Sequence, residues 1–202
     1  MISWINFGVL LVSVPLFLYF YAKSVGPARL AAKIGEGAYV LCARYRVVAV
    51  IIMTATTLNY VIYYFYPIPM RLPRTFPWPW WVSALIALAI AIPAGYLWYR
   101  GMRDAGEETM IPRKEHSLYG GIYRKIRHPQ AAGEMPFYWV IAFVLQSPFL
   151  VLFSFVWIPV FVLASLAEER DLVLRYGQAY EDYRERTGFI LPRWQQAVGE
   201  ES

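Results

Sequence analysis

Long runs of uncharged, mostly apolar residues constrain this chain more than any other feature. Four such runs cover residues 1–22, 47–66, 75–99 and 135–167. A helix of about 20 residues, rising about 1.5 Å per residue, crosses the hydrocarbon core of a bilayer. The first three runs have this length, which predicts three transmembrane helices within residues 1–99.

The last run contains 33 residues, which is too many for a single crossing. Gln146-Ser147-Pro148 is its only turn-like break, and proline is well tolerated as the first residue of a helix. We therefore expect a hairpin of two helices, with kinks at Pro136 and Pro159. The predicted fold class is all-α, a polytopic membrane protein of about five transmembrane helices.

The composition agrees with a membrane location. Hydrophobic residues make up 58% of the chain and charged residues only 16%, against about half and about a quarter in soluble domains. The net charge of +5 does not indicate a nucleic-acid partner, because the basic residues lie between the apolar runs. Cys42 is the only cysteine, so neither disulfides nor a cysteine-based metal site is expected. Residues 1–22 lack the basic start and cleavage site of a secretory signal, so we expect them to remain as a helix.

The distribution of Lys and Arg predicts an orientation in the membrane. Five lie in residues 23–46, seven in 100–127 and five from 170 onward, whereas two lie in 67–74 and none at the hairpin tip. With five crossings these groups alternate sides, giving 17 basic residues on one side and 2 on the other. Cytoplasmic loops carry the excess of positive charge, so we expect the N-terminus outside and the C-terminus in the cytoplasm.

Two polar segments on the predicted cytoplasmic side, residues 100–134 and 168–193, remain to form a site. Because a helical hairpin returns the chain to the side that it left, we expect these segments to meet. The predicted organisation is three transmembrane helices in residues 1–99, a cofactor-binding core in residues 100–193 and a tail in residues 194–202.

The first segment ends where the fourth predicted helix begins. His128 precedes Pro129, which favours an extended residue followed by the first turn of a helix. The free backbone N–H groups and the positive dipole end of such a terminus suit a carboxylate or phosphate, and Arg127 lies beside them. The alternative is that Arg127 and His128 contact only lipid headgroups.

Glu134 lies about one and a half turns into the same helix. A carboxylate there costs roughly 2.5 kcal/mol or more at full depth in the hydrocarbon. We therefore expect Glu134 to face the bundle interior with a partner, for which Arg127 and Arg124 are candidates. Glu134 is also a candidate to meet the amine, thiol or hydroxyl of a substrate.

The second segment begins with Glu168 and Glu169, at the end of the fifth predicted helix. Four residues then follow at spacings that place them on one helix face: Leu172, Tyr176, Tyr180 and Tyr183. An aromatic stripe of this kind is more often typical of packing than of ligand binding.

Together these motifs resemble those of the isoprenylcysteine carboxyl methyltransferases, within a wider group of integral membrane methyltransferases that includes the phosphatidylethanolamine N-methyltransferases. The shared pattern is a His, Gly-x-Tyr, Arg-His-Pro, a helical hairpin, Glu-Glu, and Gly-x-x-Tyr-x-x-Tyr ending in a proline. The matching residues of this chain are His116, Gly121, Tyr123, Arg127, His128, Pro129, Glu168, Glu169, Gly177, Tyr180, Tyr183 and Pro192. The resemblance covers roughly residues 104–193.

The resemblance implies S-adenosylmethionine as the methyl donor, with Glu168 as a counter-charge for its cationic groups. The residues expected to contact this cofactor are His116, Ser117, Leu118, Tyr119, Tyr123, His128, Pro129, Gln130, Ala131, Glu168 and Glu169. Arg127 and Glu134 are the candidate catalytic residues.

Two positions depart from the family pattern. Ala131 stands where an aromatic residue is usual, and Ala164 stands where the eukaryotic prenylcysteine enzymes keep an arginine. These differences leave the acceptor open among lipids, prenylated molecules and small apolar molecules. The sequence also leaves the oligomeric state open.

Two other functions are compatible with the sequence. Membrane sterol reductases share a related C-terminal half but use a reduced nicotinamide, whereas the acidic pair favours a cationic donor. A non-enzymatic transport or structural subunit is the other alternative. For transport we would expect charges within several spans, and only Glu134 meets that description.

Overall fold

The computed structural model describes residues 1–110 and 120–193, and within them the chain is all-α, as predicted. Three short 3-10 turns, at Gly106–Thr109, Gly121–Arg124 and Ser154–Val156, separate some of the helices. The α-helices are α1 (Ile2–Ser24), α2 (Pro27–Ile34), α3 (Gly37–Phe65), α4 (Trp80–Ala105), α5 (Pro129–Val144), α6 (Pro148–Phe153), α7 (Trp157–Tyr176) and α8 (Gln178–Arg186).

Among the described residues, four helical segments are long and apolar enough to cross a membrane: α1, α3, α4 and the continuous stretch Pro148–Tyr176 formed by α6 and α7. This confirms the prediction of a polytopic membrane protein. The fourth predicted crossing, α5, has only 16 residues. Its length of about 24 Å is less than the roughly 30 Å of a typical hydrocarbon core.

The short α5 nevertheless runs antiparallel to α4 and has contacts near both ends of that helix. Its first turn lies against Gly101, where Gln130 packs. At its other end the backbone carbonyl of Val144 accepts a hydrogen bond of 2.9 Å from Trp80 Nε1. The expected fourth segment is therefore present beside α4, but it is shorter than a full crossing.

The predicted break in the long apolar run is present. Gln146 adopts a positive φ of 52°, Ser147 caps the backbone N–H of Leu150 at 3.4 Å, and α6 begins at Pro148. The second arm is interrupted by the 3-10 turn Ser154–Val156. Pro159 follows this turn and has no N–H to donate to a carbonyl four residues earlier, which accounts for the interruption.

The N-terminus, the loop of residues 66–79 and the hairpin tip lie at one end of the bundle, which we call the tip end. The Asn59 side chain donates to the carbonyl of Asn6 at 3.0 Å. The backbone N–H of Phe76 donates to the carbonyl of Gln146 at 3.3 Å, and Gln146 Nε2 donates to the carbonyl of Trp78 at 2.6 Å. The segments that carry the sequence motifs lie at the opposite end, which we call the motif end.

An aromatic cluster in the middle of the bundle holds α1, α3, α5 and α7 together. Trp157 stacks on Tyr138 with ring centroids 4.0 Å apart and packs edge-on against Phe17. Its indole N–H donates to the Tyr60 hydroxyl at 3.1 Å. Because all four side chains are buried, this cluster fixes α5 and α7 beside each other and so positions the residues at their motif ends.

The amphipathic helix α2 was not predicted, because eight residues between Gly26 and Gly35 give too little periodicity to distinguish it from a loop. Its first turn is held by α7. Asp171 accepts hydrogen bonds from the backbone N–H groups of Ala28 at 3.2 Å and Arg29 at 2.9 Å, which satisfies two otherwise unbonded donors of the helix terminus.

The contact between α4 and α5 allows a direct test of the packing. A Cβ atom added at Gly133 would lie 2.5 Å from the carbonyl oxygen of Ala94 and 2.6 Å from the backbone nitrogen of Trp98. We expect Gly133→Ala to lower the free energy of unfolding by about 1–3 kcal/mol, the usual effect of overpacking. Thermal unfolding in detergent measures this change. Gly95→Ala is the matched control, because nothing lies within 4 Å of its added Cβ, and an equal loss in both variants would contradict the prediction.

Candidate active site

The segment before α5 is folded back against the end of α4. Gly121 adopts a φ of +58°, and the following backbone N–H, that of Ile122, donates to Asp104 Oδ2 at 2.8 Å. The 3-10 turn formed here leads into His128, the N-cap residue of α5. Pro129 then begins the helix, as predicted.

The two polar segments meet through their backbones, as expected from the hairpin. Residues 125–128 pair in parallel with residues 187–189. The N–H of Arg127 donates to the carbonyl of Gly188 at 2.8 Å, and the N–H of His128 donates to that of Phe189 at 3.1 Å. Gly188 is required here because a Cβ atom would collide with the backbone of Leu191.

His128 lies between the two glutamates of the second segment. Its Nε2 atom is 3.1 Å from Glu169 Oε1, and its Nδ1 atom is 3.6 Å from Glu168 Oε2. Only 6% of His128 is exposed. Burial acts to lower the pKa of His128, but hydrogen bonds to Glu168 and Glu169 and their charges outweigh it, so the pKa lies above its ordinary value.

Arg127 binds the second segment at several points. Its Nε atom is 2.8 Å from Glu169 Oε1. Its Nη1 atom donates to the carbonyls of Arg184 at 2.5 Å and Thr187 at 3.2 Å. The guanidinium also lies over the ring of Phe189. Arg127 therefore uses most of its hydrogen-bond donors to hold the end of α8 in place.

The prediction that Glu134 forms an ion pair with Arg127 or Arg124 is wrong. Arg127 pairs with Glu169, and Arg124 is exposed. Glu134 instead accepts a hydrogen bond of 3.2 Å from Trp98 Nε1 on α4. The sequence could not indicate this partner, because the choice depends on which helix lies beside α5.

A cavity of about 740 Å³, including the part open to solvent, lies at the motif end. Six of the predicted site residues line it: Tyr123, Arg127, His128, Gln130, Ala131 and Glu168. Pro129 and Glu169 do not line it. Both are buried behind its wall, and Glu169 holds Arg127 and His128. Glu134 also lies outside the lining, and His116, Ser117, Leu118 and Tyr119 fall outside the described residues.

Thr109, which lies in the predicted segment of residues 100–134, also lines the cavity. Two other lining residues, Tyr21 on α1 and Arg46 on α3, come from parts of the chain that the sequence did not connect with a site. No local signal marks them, since their role depends on helix packing. The aromatic stripe of α7 and α8 also faces the cavity, although it was interpreted as packing. Its members here are Leu172, Tyr176, Tyr180 and Tyr183.

The chain bends between the members of this stripe. Gly177 has a φ of +56° and separates α7 from α8. The bend lets Tyr183 donate its hydroxyl proton to the carbonyl of Tyr123 at 2.6 Å. The Tyr180 hydroxyl is buried and has no hydrogen-bond partner within residues 1–110 and 120–193. An unsatisfied buried hydroxyl beside a cavity indicates a place for a ligand's polar group.

The orientation of the Gln130 amide follows from its neighbours. The Tyr123 hydroxyl donates to the carbonyl of Gly101 at 3.2 Å, so it accepts from Gln130 Nε2 at 3.1 Å. The same nitrogen lies 3.1 Å from Thr109 Oγ1. The amide oxygen of Gln130 is thus the group that remains to accept a hydrogen bond from a ligand.

The walls of the cavity suit a ligand that carries positive charge and a separate acidic group. Glu168 supplies a carboxylate, and five tyrosine rings surround it, which also attract cations. These tyrosines are Tyr21, Tyr123, Tyr176, Tyr180 and Tyr183. Arg46 and the N-terminus of α5 offer a complementary place for an anion.

Comparison with known proteins agrees with the sequence motifs. Residues 81–179 match the model of the phospholipid methyltransferase family. Methanethiol S-methyltransferase 2 of Bradyrhizobium diazoefficiens is 25% identical over 123 residues, which are 56% of this chain and 44% of the relative. Methanethiol S-methyltransferase 1 of the same organism is 32% identical over 93 residues, which are 46% of this chain and 30% of the relative.

The chain therefore spans less than half the length of the curated relatives that it matches. No solved structure matches it. The matches confirm the resemblance to the integral membrane methyltransferases, and the matched family region extends from α4 to α8 across most of the cavity.

The contacts of His128 predict a pH dependence of stability. Because the pKa of His128 is raised in the folded protein, its stabilising charge is fully present below about pH 6.5, the ordinary histidine pKa. That stabilisation is lost as the pH rises through the folded-state pKa. We expect the difference in melting temperature between the wild type and His128→Gln to be largest near about pH 6 and to shrink toward about pH 9. The control is His116→Gln, the other histidine of the chain, and a difference that does not change with pH would contradict the expected charge.

Proposed function

We propose that this protein is an integral membrane methyltransferase that uses S-adenosylmethionine to methylate a small apolar or lipid acceptor. The single observation that carries the proposal is the cavity in which Glu168, the tyrosine rings and the N-terminus of α5 face one another. The match to a methyltransferase family supports the reaction class. The cofactor supplies a methyl group attached to a positively charged sulfur.

The described residues fit this cofactor in charge and in hydrogen bonding. Glu168 and the surrounding rings would hold the ammonium and sulfonium groups, while Arg46 and the first turn of α5 would hold the carboxylate. The amide oxygen of Gln130 and the buried hydroxyl of Tyr180 offer further hydrogen bonds.

The main contribution of the protein to the reaction would be alignment in a site with little water. Displacement at a methyl carbon needs the donor and acceptor in line, and fixing two reactants in this way accounts for a large part of the rate in such reactions. The ion pairs of Glu169 with Arg127 and His128 would keep the cavity walls rigid during transfer. Arg127, predicted as catalytic, is in this proposal a positioning residue.

A nicotinamide-dependent reductase is the less favoured alternative. A nicotinamide cofactor with a 2′-phosphate needs several basic groups beside its ribose. Among the described lining residues the permanent cations are Arg46 and Arg127, and Arg127 already pairs with Glu169. The acidic and aromatic character of the cavity therefore supports a cationic donor.

The cofactor assignment is tested by replacing the carboxylate of Glu168 with an amide. We expect Glu168→Gln to weaken S-adenosylmethionine binding by about 1.5–3 kcal/mol, the range for a hydrogen bond to a charged group. Isothermal titration calorimetry of the purified protein in detergent measures this loss. Glu185→Gln, an exposed change on α8, is the control and should bind like the wild type. Equal affinities in all three proteins would rule out the proposed role of Glu168.

We also propose that the motif end lies in the cytoplasm and the N-terminus outside, because 17 of the 19 basic residues belong to segments predicted to lie on the same side as the motifs. Cys42 is buried, so single introduced cysteines can report sidedness. A membrane-impermeant maleimide should label Leu72→Cys in intact cells and Glu185→Cys only after permeabilisation. The reverse pattern would show the opposite orientation.

A further inference from the structure

Glu134 lies one turn deeper in the bundle than the cavity wall formed by α5. Gln130 and Ala131, which line the cavity, precede Glu134 by four and three residues and so share a helix face with it. At about 1.5 Å per residue, Glu134 is about 7.5 Å from Pro129 along the helix axis. Its carboxylate is therefore on the membrane side of the cavity floor.

Glu134 is close to residues that line the cavity, but it forms no salt bridge with the described residues. Its hydrogen-bond donor is the neutral indole of Trp98 at 3.2 Å. Arg46 and Glu168, which both line the cavity, are close enough to act on it electrostatically. Within the described part of the chain no basic side chain forms an ion pair with Glu134.

The packing of α3, α4 and α5 leaves this carboxylate partly exposed. Among the described residues, α3 and α4 have almost no direct contact, although both approach α5. At the motif end, Arg46 Nη1 of α3 donates to the carbonyl of Thr109, in the 3-10 turn that follows α4, at 2.8 Å. Glu134 is partly exposed, and Trp98 beside it is 42% exposed. A groove between α3 and α4, with α5 as its floor, would place Glu134 within reach of the bilayer.

We propose that Glu134 is the catalytic base for a small apolar thiol that enters the site from the lipid through this groove. The inference rests on the proposed methyltransferase function and adds the class of acceptor and the proton acceptor. The S–H bond of the thiol breaks and its proton passes to the Glu134 carboxylate. The sulfur electron pair forms the new C–S bond to the methyl group, and the old C–S bond breaks to leave the donor as a neutral thioether.

The groove favours a thiol over the headgroup of an aminophospholipid. A neutral thiol enters the bilayer boundary without bringing a charge, and it needs only a base to become nucleophilic. A phospholipid headgroup carries a phosphate, for which several basic groups would be expected, whereas the described side chain bonded to Glu134 is the neutral Trp98 and Arg46 is the single cation described as acting on it. The names of the two relatives are consistent with a thiol acceptor.

Replacing the carboxylate by an amide separates this role from a structural one. With S-adenosylmethionine and methanethiol as substrates, Glu134→Gln should lower turnover by about 10²-fold or more, with cofactor affinity within about twofold of the wild type. Its remaining rate should rise about tenfold per pH unit below the thiol pKa, because the thiolate needs no base. The wild type should show a weaker dependence. Glu134→Asp, which keeps a carboxylate, should restore part of the rate, and Glu185→Gln is the control.

The outcomes separate the inference from the function on which it rests. A wild-type protein that binds no S-adenosylmethionine overturns the proposed function. Binding and methylation by the wild type, with full turnover or an unchanged pH profile in Glu134→Gln, overturns the role of Glu134 alone. Methylation of phosphatidylethanolamine in vesicles without methylation of methanethiol overturns the thiol assignment. If Glu134→Gln loses cofactor binding and Glu134→Asp remains as slow, Glu134 is structural and the inference is wrong.

Discussion

The carboxylate of Glu169 lies between the guanidinium of Arg127, at 2.8 Å, and the imidazole of His128, at 3.1 Å. All three side chains are at most about one-tenth exposed, so each charge would be strongly destabilising without the others. Arg127 and His128 come just before α5, whereas Glu169 is on α7. The cavity walls formed by α5, α7 and α8 therefore depend on this cluster for their relative positions, and the backbone pairing of residues 125–128 with 187–189 reinforces it.

Features that depend on local chemistry could be predicted from the sequence. Uncharged runs of sufficient length indicated the long helices, and prolines preceded by polar residues marked the starts of α5 and α6. The contact between the two polar segments could also be predicted, because a helical hairpin returns the chain to the side of the bundle that it left. In contrast, the length of α5 was overestimated as a full crossing, since uncharged residues beyond Val144 belong to the turn rather than to the helix.

The parts of the site that escaped prediction depend on which helices are neighbours. Tyr21 and Arg46 come from the first half of the chain, where no motif marks them, and only the packing of α1 and α3 brings them to the cavity. The partner of Glu134 was predicted wrongly because candidates were sought nearby in sequence, whereas Trp98 lies on the adjacent helix. The tyrosines of α7 and α8 were interpreted as packing residues, because the sequence does not show that Gly177 bends the chain around a cavity.

The parallel pairing of residues 187–189 with residues 125–128 also bears on how the protein is made. During synthesis α5 and the hairpin leave the ribosome before the segment that covers Arg127 and His128. Until residue 189 has emerged, the segment of residues 187–189 cannot yet cover these two side chains and both glutamates. The walls of the cavity are therefore completed only after residues 187–189 have been made and have paired with residues 125–128. Nascent chains truncated between Tyr176 and Phe189 would be inserted but would lack a closed cavity.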